Sequence, residues 1–380
     1  AQLVAGGGTT FAYPREPHPA RDLILELTRP QLVWDEESDS LVLLANDIVY
    51  RIVMDGAENG SPTEPVDSTI QVIASVSRQS SGLAQDGGAF LISSLWGTVS
   101  VVTSAGAEQL WEPPLVTDVR LAYGAAVDGV GQTGYLIQDP TFRRLALHVT
   151  GYGTFRLFEE FALTRDPPTP IAGGADGNIY IVEATGLRGL DLSGAMPLIA
   201  HREPERIGPG QTIDEIILPI EGELQAASDD LLWLLDVSYE VLLSIAVDTG
   251  EVAHIAGAVR GGGIPHGDYG LRSTQFRMNA PHAMSVHDDL VVVATEEGAG
   301  VGIFAINTGS GSAQLAGVEI APGTTGHVGG MGSSAPLSGR GFREIALNDV
   351  LSSVIIGNEL LVSTDDPLVS TLILVGNDGV

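Results

Sequence analysis

The sequence predicts an all-β protein, built as a single seven-bladed β-propeller of four-stranded antiparallel sheets with the ring closed by the N-terminal strand. Three observations lead there. With 48 Gly and 21 Pro the chain is punctuated every few residues, which suits many short strands and tight turns and leaves little room for long helices. Between the punctuation lie short apolar runs of strand length, as in Leu290–Ala294 and Leu231–Leu235. One unit, Glu251 to Gly317, then recurs around the chain: an apolar run ends in Ala256-Gly257 and the same ending returns at Ala316-Gly317. Self-similarity at such a period is the mark of a repeat architecture.

Taken in order, the first unit has a polar loop from Gly6 to Asp22, then runs at Pro30–Asp35, Ser40–Asn46, Ile48–Met54 and Thr69–Ser75. Asp, Asn and Gly in the segments between them supply turn conformations. The second runs from Ser81 to Glu112, with Asp86-Gly87-Gly88 as a hairpin signal. The third ends at Phe161, and the fourth at His201 with Asp176-Gly177-Asn178 as its turn. The fifth closes on Ala256-Gly257, the sixth on Ala316-Gly317, and the seventh lacks a fourth strand at its C-terminal end. The opening residues Ala1 to Gly6 have the sequence that strand requires, and their pairing there removes two exposed sheet edges. The expected blades are 30–75, 81–112, 119–161, 169–201, 222–257, 281–317 and 343–376 plus 1–6, with six blades as the alternative because the second and third units are the least regular. Anchors near Pro30, Leu83, Leu121, Pro170, Leu224, Pro281 and Ile345 are spaced by roughly 38 to 64 residues, a range that suits such blades.

Composition bounds the function. A hydrophobic content of 44% against 17% charged residues supports a large core and excludes a disordered chain. A net charge of −30 argues against nonspecific binding to nucleic acid or to anionic lipid, both of which are negative. All 18 basic residues are Arg, as codon usage in a GC-rich genome would give, with a high-salt habitat as the sharper alternative. The absence of Cys excludes disulfides, thiolate metal sites and Cys nucleophiles. No apolar run reaches about 18 residues, so membrane insertion is not expected. The opening AQLVAGGG fits a processed export signal or a trimmed terminus, and we expect an exported bacterial protein, periplasmic, surface-attached or secreted.

The order Ala-Gly, Gly-rich loop, Phe276, Pro281, first strand, Asp, then Leu290-Val291-Val292-Val293-Ala294 resembles the NHL repeat of β-propellers. That family carries a GDGGPA-like loop, a Phe or Leu, Pro-x-Gly, and DGNLYVAD. Asp176-Gly177-Asn178 followed by IYIVEA is similar to the last of these, and the first unit is a shorter version. The chain departs from the pattern at Pro281-His282-Ala283, where Ala stands in the Gly position, and the basic ending of the third strand survives only as Tyr50-Arg51-Ile52. The resemblance implies the propeller fold.

Propellers bind ligands where the loops entering the innermost strands converge. The blade phases above place Arg29, Arg120, Thr169, Glu223, His282 and Arg343 near that mouth. Three guanidiniums there would favour a carboxylate or phosphate, while paired to nearby acids such as Asp118 or Glu344 they would only hold blades together. His266, Asp268 and His282 are weak candidates for a channel metal, since a zinc site needs three or four converging donors. The acidic turns at Asp35–Asp39 and Asp365-Asp366 are weak candidates for a structural calcium. No GxSxG elbow is present, and Gly261-Gly262-Gly263 and Gly329-Gly330 lack the strand and helix that a phosphate cradle requires. The Trp residues at 34, 96, 111 and 233 read as packing between blades. These features point to an exported, monomeric, non-catalytic binding or scaffold propeller that recognises a protein or small anionic ligand. A metal-dependent hydrolase or lyase working at the channel is the alternative, and a structural module of a larger surface assembly is a third reading.

Overall fold

The computed structural model describes residues 2–6, 8–10, 12–25, 30–35, 38–55, 67–76, 222–228, 231–258, 272–297, 300–330, 345–347, 349–364 and 371–376, together with the strands of residues 80–201 given below. The chain divides into two compact units. One comprises Ala1–Ser75, Ala256–Ala258 and Gly263–Val380, and the other Val76–Ile255 and Val259–Gly262.

The first unit opens with β1 (Gln2–Gly6) and the two-residue β2 (His18–Pro19). A meander of β3 (Gln31–Asp35), β4 (Ser40–Ala45), β5 (Ile48–Asp55) and β6 (Asp67–Ser75) follows. The second unit holds four meanders. They are β7 (Ser80–Asp86), β8 (Ala89–Ser94), β9 (Val99–Thr103) and β10 (Gly106–Trp111), then β11 (Leu121–Val127), β12 (Gln132–Gln138), β13 (Arg144–Val149) and β14 (Thr154–Phe158). Next come β15 (Ile171–Gly173), β16 (Ile179–Glu183), β17 (Gly186–Leu190) and β18 (Leu198–His201), then β19 (Gly222–Ser228), β20 (Leu231–Asp236), β21 (Val241–Ala246) and β22 (Val252–Ala256). The first unit resumes with β23 (His282–His287), β24 (Leu290–Glu297), β25 (Gly300–Asn307), a short hairpin of β26 (Ala313–Leu315) and β27 (Val318–Ile320), and β28 (Thr325–Gly330). It ends with β29 (Val350–Ile356), β30 (Glu359–Thr364) and β31 (Thr371–Val375).

Among the described residues these strands make seven antiparallel sheets of four or five strands and one two-stranded hairpin. Each large sheet is a meander, and the alternation of buried and partly exposed residues along a strand such as β29 matches the period-two pleat. β1 is the edge strand of the last sheet, paired antiparallel with β31 so that Gln2 faces Leu374 and Gly6 faces Thr371. This is the pairing the sequence implied for residues 1 to 6. β2 lies against β6 and covers the outer edge of the first sheet.

One boundary differs from the sequence expectation. The sequence pattern makes Ala313–Leu315 part of the run that closes the sixth sheet, yet it belongs to the β26–β27 hairpin, and β28 is the strand that pairs with β25. The Ala-Gly ending marks a left-handed turn, and both Ala316 (φ 51°) and Gly317 (φ 77°) adopt one at the hairpin tip. The tip is tied to the last sheet by Ala316 N–H donating to the Asn358 carbonyl at 2.8 Å.

Within each unit the first strands of successive sheets adjoin. β7, β11, β15 and β19 follow one another in one unit, and β23, β29 and β3 in the other. The cores lie between sheet faces. One cluster joins Val292, Ile303, Val362 and Ile373, another joins Leu43, Ile52, Leu361 and Leu374, and a third, in the second unit, joins Tyr180, Leu187, Leu234 and Leu243. Burial of these side chains is the main favourable term, because no sheet can cover both its faces alone. Among the described residues no helix is long and apolar enough to cross a membrane.

Candidate functional site

Of the residues that the sequence places near the channel mouth, Arg29, Arg120, Thr169 and Arg343 lie outside the described residues, as do His266 and Asp268. Glu223 and His282 are described, one in each unit. Both stand at the start of a first strand: Glu223 is the second residue of β19, opposite Leu235, and His282 is the first residue of β23, opposite Ala294. Glu223 is half-buried.

His282 is held in an unusual stretch of backbone. Between His282 and Ser285 the register with β24 shifts, so the first strand bulges at its first residues. A bulge bends the strand and re-aims a side chain. Ala280 and Ala283, on either side of the histidine, both have positive φ, 38° and 51°. A residue with a Cβ adopts that region at a cost of roughly 1–2 kcal/mol. Ala283 therefore takes the conformation of a glycine while it fills a buried position.

Nδ1 of His282 lies 3.0 Å from the Ala280 carbonyl oxygen. A carbonyl only accepts, so Nδ1 carries the proton. Nε2 then faces Oδ1 of Asp349 at 3.7 Å, with side-chain exposures of 30% and 52%. Asp349 immediately precedes β29, just as His282 heads β23, so the pair spans the starts of two neighbouring first strands. Deeper along the same strands the buried hydroxyls of Ser285 and Ser353 meet at 2.9 Å. Nε2 is itself buried, so the polar group that this arrangement leaves open to solvent is the Asp349 carboxylate. Both imidazole nitrogens face protein oxygens, and among the described residues no group of three or more His, Asp or Glu is placed to hold a metal.

Sequence reasoning missed Asp349, Ser285 and Ser353. The available signal was positional: Asp349 precedes an apolar run as His282 does, and each of the two serines is followed by an apolar residue within its strand. The acidic turn at Asp35 is engaged internally. Its buried carboxylate accepts from Ser38 Oγ at 2.5 Å and lies 3.5 Å from Nη2 of Arg51, while Ser38 and Ser40 hydroxyls meet at 2.6 Å. Asp365-Asp366 lies outside the described residues. His287 ends β23 and so sits at the other end of that strand from His282, beside Asp288.

Successive four-stranded meanders whose first strands adjoin, with polar side chains at the starts of those strands, define a β-propeller. No family model and no curated protein matches the sequence. Solved structures do resemble it. A protein of unknown function from Bacteroides thetaiotaomicron superposes with a TM-score of 0.50 at 12% identity, covering 89% of this chain and 81% of that one. An auxiliary nutrient binding protein from Bacteroides ovatus gives a TM-score of 0.50 at 11% identity, covering 98% of this chain and 76% of that one. A streptogramin B lyase structure gives 0.47 at 12% identity, covering 78% and 82%. At such identities these likenesses concern the fold alone.

Proposed function

We propose that this chain is an exported, monomeric propeller of the NHL-repeat type, its ring closed by β1, that binds a protein or small anionic ligand on the face where its first strands begin. The observation that carries this is the strained bulge at His282. Left-handed Ala280 and Ala283 hold an imidazole at the start of a first strand, beside Asp349. Backbone strain of this kind clusters at ligand sites, where the surrounding structure over-determines it.

Two local devices support the NHL-type repeat. Gly6 (φ 83°) and Gly257 (φ 90°) each stand at a strand end, and each is followed further along the chain by a 3-10 turn, Ala20–Asp22 in one case and Ser273–Gln275 in the other. Each turn delivers a large apolar residue to the core, Leu23 and Phe276 respectively. Ala283 has the left-handed backbone that the repeat pattern assigns to Gly. The stretches of chain between β18 and β19, β22 and β23, and β28 and β29 are long for mere connection, and long connections on a rigid scaffold are where binding resides. The Bacteroides ovatus structure, described as an auxiliary nutrient binding protein, is a like fold in a binding role. Arg29, Arg120 and Arg343 would supply the attraction for an anion.

Thermal unfolding with phosphate and with succinate, each matched to chloride at equal ionic strength, tests the anionic ligand. Specific binding raises Tm beyond the chloride control, and the increment disappears in Arg29→Ala and His282→Ala. An increment no larger than that of chloride would sink the anionic reading.

A further inference from the structure

Asp236 closes β20 where the chain turns through Val237–Glu240 into β21. Its side chain is completely buried, at 0% exposure. Oδ1 accepts the Tyr239 backbone N–H at 2.8 Å, and the Ser238 N–H also bonds the carboxyl. Oδ2 is buried with no hydrogen-bond partner among the described residues.

The surroundings offer no compensating charge among those residues. Opposite Asp236 stand Gly222 on β19 and Val241 on β21. The titratable side chains nearest in the strands and turn are Glu223, Tyr239 and Glu240, none of them cationic. The apolar cluster of the same sheet adds Leu232, Leu234 and Val241, with Tyr180 from the neighbouring sheet. An ionised carboxylate in such a place is strongly disfavoured relative to the neutral acid.

We propose that the β20–β21 turn is a proton-operated latch, shut while Asp236 is a neutral acid and progressively freed as the proton is lost, at the end of the sheet where Gly222 and Glu223 open the first strand. Burial pushes the carboxyl from its ordinary 3.8 up to about 7, against the opposing pull of the Tyr239 and Ser238 N–H groups. The sign follows from linkage. Between 3.8 and about 7 the closed turn holds a proton that the open one does not, so closure weakens as pH rises across that window and levels off above it.

Backbone hydrogen exchange of residues 237–241, followed from pH 4.5 to 9 in the whole protein and in Asp236→Asn, tests the latch. In the wild type the opening equilibrium rises by up to about tenfold per pH unit below neutrality, on top of the intrinsic chemistry of exchange, and then flattens. In Asp236→Asn, whose amide oxygen can still accept the Tyr239 N–H, only the intrinsic slope remains. Parallel pH profiles in the two proteins overturn the proposal. Should the variant fail to fold, carboxyl 13C NMR of the wild type decides: a midpoint near neutrality supports the latch, and one in the usual carboxylate range overturns it.

Discussion

Asn307 is buried at the end of β25 and has every polar atom of its amide engaged. Nδ2 donates to the carbonyls of Gly311 and Ile320, both at 2.8 Å, and Oδ1 accepts the Gly309 N–H at 2.9 Å. Its backbone adds two more bonds, N–H to the Thr324 carbonyl and carbonyl from the Gly323 N–H. One side chain thus fixes both ends of the segment that carries the β26–β27 hairpin. Truncation leaves the buried Ile320 carbonyl without its partner, at about 1–3 kcal/mol, and also gives up the partly buried bonds to the Gly311 carbonyl and the Gly309 N–H. Asn307→Ala should therefore lower stability by about 3 kcal/mol, read as the midpoint shift in urea unfolding at unchanged slope. A loss below about 0.5 kcal/mol would mean that water replaces the amide. Nothing in the sequence distinguishes Asn307 from a turn asparagine, because its role depends on partners brought to it by a loop that closes on itself. His282 was easier to see. It precedes an apolar run, and the run is the strand.

At the level of elements, most of the strands were legible. Ser40–Asn46 corresponds to β4 and Ile48–Met54 to β5, each within a residue, because alternating or continuous apolar runs bounded by Gly, Asn and Asp leave little choice. β28 was not legible, for a physical reason. Its sequence TGHVGG carries no apolar period, since close approach leaves no room for side chains there. A Cβ on Gly330 would stand 2.1 Å from the Val301 carbonyl oxygen, and one on Gly326 2.9 Å from the Ile320 side chain. The strand is specified by what its glycines permit and by its backbone bonds to β25. The β1–β31 pairing, by contrast, followed from a missing strand and a matching terminus. Removing residues 1–6 uncovers the edge of β31 and takes Val4 and Ala5, both fully buried, out of the core. We expect Tm to fall by roughly 10 °C and self-association to appear in sedimentation, as unpaired edges recruit other strands. An unchanged Tm would show that β1 adds nothing to the sheet.

On the scale of the whole molecule the charge dominates. With 48 acidic residues against 18 basic ones, self-repulsion works against the compact state, and salt screens it over about 10 Å at 0.1 M. Raising NaCl from 20 mM to 1 M at pH 7.5 should raise Tm by several degrees. A flat response would mean that repulsion among the acids weakens the folded state little more than the unfolded one. The acidic excess was plain in the sequence. The angle at which each sheet is turned against the next was not, because neither spacing nor composition encodes it.

The union of β1 with β31 has a consequence for biosynthesis. About 365 residues separate Gly6 from its partner Thr371. At 5–20 residues per second, a ribosome needs roughly 20 to 70 s to traverse that interval. Throughout that time Leu3, Val4 and Ala5 have emerged while the strand meant for them does not yet exist. The last sheet is therefore completed only once Thr371 and its neighbours have been made, and until then the apolar strand at residues 2–6 waits without its partner.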